Sequence, residues 1–95
     1  MSVRLDERAF RTARDVYVRD LKGYLAENDW EIRLRLAYII EAIEVEDDNL
    51  AARGMIDKVI PMLDDDGEQW LIESLSESLR GLASLIDWHT YKGSL

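Results

Sequence analysis

The groups in this chain that could do chemistry are twenty carboxylates, one histidine, a few serines and a set of arginines. The densest acidic run, Asp64-Asp65-Asp66-Gly67, is the natural place to look for a calcium loop. An EF-hand needs oxygen ligands at loop positions 1, 3, 5 and 12 and a glycine at 6. Aligning Gly67 with the glycine puts Asp64, Asp66 and Glu73 on ligand positions, but leaves Met62 first, where it cannot ligate. The run therefore reads as a solvated loop that caps the next helix. His89 is the lone histidine, so no His-His pair and no HExxH zinc pattern can form. A surface or cap histidine is the simpler expectation for it than a catalytic one. Ser74, Ser76 and Ser78 lack a glycine-bounded nucleophile elbow, and the five glycines are too scattered for a phosphate loop. With no cysteine there are no disulfides, thiolate zinc sites or thiolate nucleophiles. The chain is expected to be no enzyme and to hold neither metal nor cofactor.

Two groups remain as candidates for binding. Arg4, Arg8, Arg11, Arg19 and Lys22 fall within a sector of about 80° when wound at the helical period, with Asp15 interrupting. Such a stripe can dock an acidic partner or a phosphate backbone. It can equally be a solvated helix face, or pair with the chain's own acidic helices, and this plainer reading is preferred. Among the aromatic residues, Trp30 is expected to fill the core, while Trp88 and Tyr91 are the candidates for an interface, where tryptophan and tyrosine concentrate.

The elements that must position these groups follow from periodicity. Phe10, Ala13, Tyr17, Leu21 and Tyr24 recur at threes and fours, predicting a helix over about 6–27 capped by Asp6 and stopped at Asn28-Asp29. Over about 30–45, Trp30, Ile32, Leu34, Leu36, Tyr38 and Ile40 alternate as in a strand. On a helical wheel, however, Ile32, Leu36, Ile39, Ile40 and Ile43 occupy one sector of about 100°, beside a second strip of Trp30, Leu34 and Tyr38. No partner strand is evident, so a helix is expected, and its two strips predict the most buried helix of the set. The turn Glu46-Asp47-Asp48-Asn49 supplies a cap for a third helix over about 49–62, which Pro61 should end or kink near Ile60. A fourth helix, about 68–88, carries Ile72, Leu75, Leu79, Leu82 and Ile86 as an a/d seam. Beside it runs a stripe of small residues, Ser74, Ser78 and Gly81. Gly81 costs about 1 kcal/mol in mid-helix relative to alanine, which a close helix crossing would justify. The tail from about His89 is expected to fray.

These elements assemble into an all-α bundle of four helices forming a single domain, 1–95. The hydrophobic content of 47% suffices for a core, while the 34% charged content requires wide solvent-facing stripes. No apolar stretch near Met1 suggests a secretory signal, and the longest apolar run, residues 36–40, is too short for a membrane span. A cytoplasmic location is expected. The formal charge of −8 opposes general nucleic-acid binding. It is unevenly placed. Residues 1–35 hold eight Lys/Arg against seven Asp/Glu, and residues 36–95 hold four against thirteen.

Residues 41–52, Glu41-Ala42-Ile43-Glu44-Val45-Glu46-Asp47-Asp48-Asn49-Leu50-Ala51-Ala52, resemble the turn between tetratricopeptide repeats, where an Ala-aliphatic pair precedes an acidic turn. The resemblance would imply stacked helical hairpins and a peptide-binding groove. Asp47 stands where those repeats carry proline, and their upstream Trp, Gly and Tyr positions are not met. The leading functional expectation is a small interaction or regulatory protein that acts by surface recognition as a homodimer, with another protein as the partner class. The alternative is an acidic decoy that occupies the nucleic-acid-binding surface of a basic target, in the manner of phage-encoded inhibitors. A nucleic-acid binder using the Arg4–Lys22 stripe ranks third.

Overall fold

A computed structural model describes residues 3–26, 30–63 and 69–93, with side chains at 7–26, 30–63 and 73–92. The chain forms four helices, α1 (Val3–Tyr24), α2 (Trp30–Glu44), α3 (Asn49–Leu63) and α4 (Gln69–Gly93), and no strand among the described residues. The expected all-α four-helix bundle is therefore the fold. The helix/strand ambiguity of residues 30–40 resolves as helix, because only the helical period places Ile32, Leu36, Ile39, Ile40 and Ile43 together, and all five are buried.

The helices pack as a ring. α1 touches α2 and α4, α3 touches α2 and α4, and the diagonal pairs do not meet among the described residues. In such a ring each helix has two neighbours and buries one stripe toward the centre. Leu75, Leu79, Leu82 and Ile86 of α4 are fully buried there with Leu21, Leu36, Ile43, Ile56 and Leu63, as the a/d spacing predicts. The side chain of Ile72 lies outside the described residues.

α1 and α4 run antiparallel, in a register fixed by contacts about seven residues apart. The Phe10 ring stacks on His89 at 3.8 Å between centroids. Tyr17 lies against Gly81, where a Cβ would come within 2.6 Å of its hydroxyl. The hydroxyl of Tyr24 hydrogen-bonds Ser74. The small-residue stripe of α4 thus seats two tyrosines of α1, and the close crossing that Gly81 called for is present.

Several boundaries differ from the sequence reading. α1 begins at Val3, so Asp6 lies inside the helix rather than at its cap. α3 passes the expected break near Ile60 and reaches Leu63 with Pro61 inside its last turn. There the missing N–H leaves only the carbonyl four residues back, on solvent-exposed Asp57, without its amide partner. α4 runs through His89 to Gly93, beyond the point at which fraying was expected, because His89 is held against α1. The Asn28-Asp29 stop and the Asp64–Gly67 loop lie outside the described residues.

The turn between α2 and α3 is tightly specified. Asp48 caps α3, its Oδ1 accepting the Ala51 amide at 3.0 Å. The Asp48 amide returns to the Ala42 carbonyl at 2.8 Å. Asp47 between them takes φ 50°, the left-handed region that costs a residue with a Cβ about 1–2 kcal/mol but that aspartate tolerates better than most.

Candidate functional site

The basic stripe of α1 is largely engaged with the chain itself. Arg11 bonds Glu7 at 3.3 Å and Asp47 at 3.1 Å. Lys22 reaches Glu44 at 2.9 Å. Arg8 and Arg19 are exposed, with no ion-pair partner among the described residues, and the side chain of Arg4 lies outside them. The plainer sequence reading, pairing with the protein's own acidic helices, holds at Arg11 and Lys22.

An arginine outside that stripe proves more constrained. Arg14 is 5% exposed; its Nη1 donates to Asp47 Oδ1 at 2.9 Å and to Asn49 Oδ1 at 2.6 Å. Its guanidinium lies 5.5 Å above the Phe10 ring. The hydrogen bond from Arg14, ahead of the neighbouring charge of Arg11, holds the Asp47 carboxyl below its ordinary range. Beside this cluster opens a cleft of about 360 Å³ lined by Arg11, Arg14, Asp15, Ile43, Glu44 and Asp47. Both signs of charge line it. An anion entering would meet three carboxylates, and a cation two guanidinium groups. The cluster's geometry accounts for a structural role, clamping the α2–α3 corner to α1. Sequence reasoning missed Arg14; its signal was its place on α1 between the apolar face and the basic stripe.

His89 is likewise structural in its contacts. Its Nε2 lies 2.8 Å from Glu7 Oε2, and its ring is covered by Phe10. The hydrogen bond to His89 is the largest cause lowering the Glu7 pKa. Among the described residues no group of three His, Cys, Asp or Glu side chains could hold a metal ion.

The exposed apolar surface is concentrated elsewhere. Trp30 is 68% exposed, Leu34 42%, Tyr38 52% and Val45 76%. The expectation that Trp30 fills the core is therefore corrected, whereas α2, with six buried residues, does bury more than any other helix among the described residues. The isoleucine sector already occupies the one stripe that a ring of four helices lets α2 bury, and the second strip, rotated away from it, faces outward. Spacings of four, four and seven place Trp30, Leu34, Tyr38 and Val45 within about 80° over about 22 Å of helix length. Sequence reasoning found three members of this strip but placed Trp30 in the core.

Trp88 and Tyr91, the aromatic candidates on α4, are 58% and 56% exposed. They stack on each other at 5.8 Å, with Lys92 Nζ 5.9 Å from the Trp88 ring. They form a patch one turn long, partly satisfied by its own contacts. The structure does not bring this patch together with Arg8, Arg11, Arg19 and Lys22 by any described contact between them. No helix among the described residues is long and apolar enough to cross a membrane. Compared with protein-family models, curated proteins and solved structures, the chain matches none.

Proposed function

We propose that this chain is a non-catalytic protein–protein interaction or regulatory module of the cytoplasm, acting by surface recognition through the outer face of α2. One observation carries the reading: a strip of Trp30, Leu34 and Tyr38 stands in solvent along α2, continued past Glu41 by Val45 just beyond the helix end. Together they expose on the order of 500 Å², given about 150–250 Å² for a whole aromatic side chain. That is at the upper end of the largest apolar patch on an ordinary monomer, about 300–600 Å², where such patches are often functional. It falls short of the roughly 800 Å² per partner of a standard stable interface. The strip therefore fits a reversible contact.

The other two readings have less support. A decoy needs a cluster of free carboxylates, yet Glu44, Asp47, Asp57 and Asp87 are paired with the chain's own cations, and Glu41, Glu46 and Glu77, exposed without an ion-pair partner among the described residues, lie on three different elements. A nucleic-acid binder needs the α1 stripe free, and Arg11 and Lys22 are occupied.

Photo-crosslinking in cells tests the proposal. A photoreactive residue at Leu34 should give discrete adducts, whereas one at exposed Ser84 of α4 should give none. Adducts from position 19 but not 34 would move recognition to the basic stripe. No adduct at either position would remove the reading.

A further inference from the structure

We infer that the occupant of the α2 strip is a second copy of this chain, docked antiparallel about a twofold axis at Ala37. This rests on the reading of α2 as a recognition surface and identifies its partner.

The argument is charge self-complementarity along the row Arg33, Ala37 and Glu41, which flanks the apolar strip. Arg33 stands on the N-terminal half of the exposed side of α2, and Glu41 on its C-terminal half. Both are exposed, and neither side chain has an ion-pair partner among the described residues. They lie four residues to either side of Ala37, about 6 Å along the axis in each direction. A twofold axis through Ala37 sets Arg33 level with Glu41 of the other copy, and Glu41 level with Arg33, so one geometry forms two ion pairs. The same operation sets Trp30 level with the other copy's position 44, about 1.5 Å short of Val45, so the two ends of the strip overlap. Ala37 is exposed and small, and allows the two helices to approach at the axis. A parallel pairing would instead set Arg33 against Arg33 and Glu41 against Glu41.

Other occupants match less of this surface. A uniformly basic partner would meet Arg33, and a uniformly acidic one would meet Glu41. The Trp88/Tyr91 patch has no comparable alternation of sign along its single turn. The limited area implies a weak dimer, formed at about 100 μM and dispersed at about 1 μM.

Sedimentation of the full chain tests this. The parent should pass from monomer to dimer over that range. Arg33→Glu and Glu41→Arg, both on exposed positions and each checked for helical content, should separately weaken dimerisation by about tenfold or more, because each turns two attractions into repulsions. Mixed in equal amounts, the two variants should associate at least as well as the parent. In the mixed pair, the two carboxylates of the first variant face the two guanidinium groups of the second. A parent that stays monomeric at about 500 μM, variants that dimerise normally, or a mixture without recovery would each overturn the second-copy assignment. Position-34 adducts of mass other than twice the chain, with a monomeric parent, would sink this inference while leaving the recognition surface standing. A monomer without adducts would remove both.

Discussion

Replacing Gly81 with alanine should change sign in its effect on stability according to what occupies position 17. In mid-helix, alanine gains about 1 kcal/mol over glycine. In the parent protein, however, the new Cβ would lie 2.6, 2.7 and 2.8 Å from Oη, Cε1 and Cζ of Tyr17. All three are closer than van der Waals contact allows, so the phenol must move off α4. Overpacking of this kind costs about 1–3 kcal/mol. The net expectation for Gly81→Ala alone is a destabilisation of about 0–2 kcal/mol. With Tyr17→Ala already in place, the obstacle is gone and the same change should stabilise by about 1 kcal/mol. The coupling in this double-mutant cycle is then about 1–3 kcal/mol. Urea unfolding followed by far-UV circular dichroism measures all four proteins, and each kcal/mol corresponds to about 4–8 °C in melting temperature for a domain of this size. Equal stabilisation in both backgrounds, within about 0.5 kcal/mol, would show that Tyr17 does not rest on Gly81 and that the α1–α4 register is misplaced.

Leu79→Asp puts a carboxylate at a fully buried position of the α4 seam and should cost several kcal/mol, a large share of the about 5–15 kcal/mol available to a domain; a parent-like melting curve would contradict the packing. At the α2–α3 corner, Asp47→Ala should destabilise more than Arg14→Met, because it strands a buried guanidinium whereas the second change replaces it with an apolar chain of similar length; the reverse order in urea titrations would refute the clamp. Glu7 and Asp47 have folded-state pKa values below their ordinary 4.5 and 3.8, so their stabilisation is present above those values and is lost as pH falls through the folded ones. Melting temperature should therefore drop on acidification below about pH 4.5, and Asp47→Asn should show a shallower drop; identical slopes would exclude Asp47 as a contributor.

The sequence was most legible where one periodic pattern had one outlet. The 72/75/79/82/86 spacing on α4 could only be a buried seam, and its described members are buried. The turn Glu46-Asp47-Asp48-Asn49 announced a cap by its residue types and by the helical run that follows, and Asp48 is the residue that supplies it. The second strip of α2 was legible as a pattern but not as a location, because spacing reports which residues share a face and not whether a neighbour covers it. Four helices in a ring leave the outer side of α2 bare, while the extra stripe of α4 is covered by Tyr17 and Tyr24 of α1. Arg14 was illegible for a related reason. Its burial depends on Asp47 and Asn49, thirty-three and thirty-five residues away, and no local rule links them. The same is true of His89, which a lone position near the end of a helix marks as peripheral until Glu7, eighty-two residues distant, is seen to hold it.

The seam between the first and last helices also governs the order in which the chain can fold. α2 and α3 are joined by a short, capped turn and can pair as soon as both exist. α1 meets His89, Gly81 and Ser74, the neighbours of Phe10, Tyr17 and Tyr24, in α4, so its tyrosines wait through the synthesis of the two intervening helices with no Ser74 or Gly81 to rest on. Closing that loop is the most distant step in the molecule, and distant closures slow folding more than they weaken the product. A nascent chain emerging at about 5–20 residues per second would thus spend seconds with the α4-facing side of α1 uncovered. Moving α1 to follow α4, by circular permutation, would turn the slowest contact into a local hairpin and should raise the folding rate while leaving the packed structure the same.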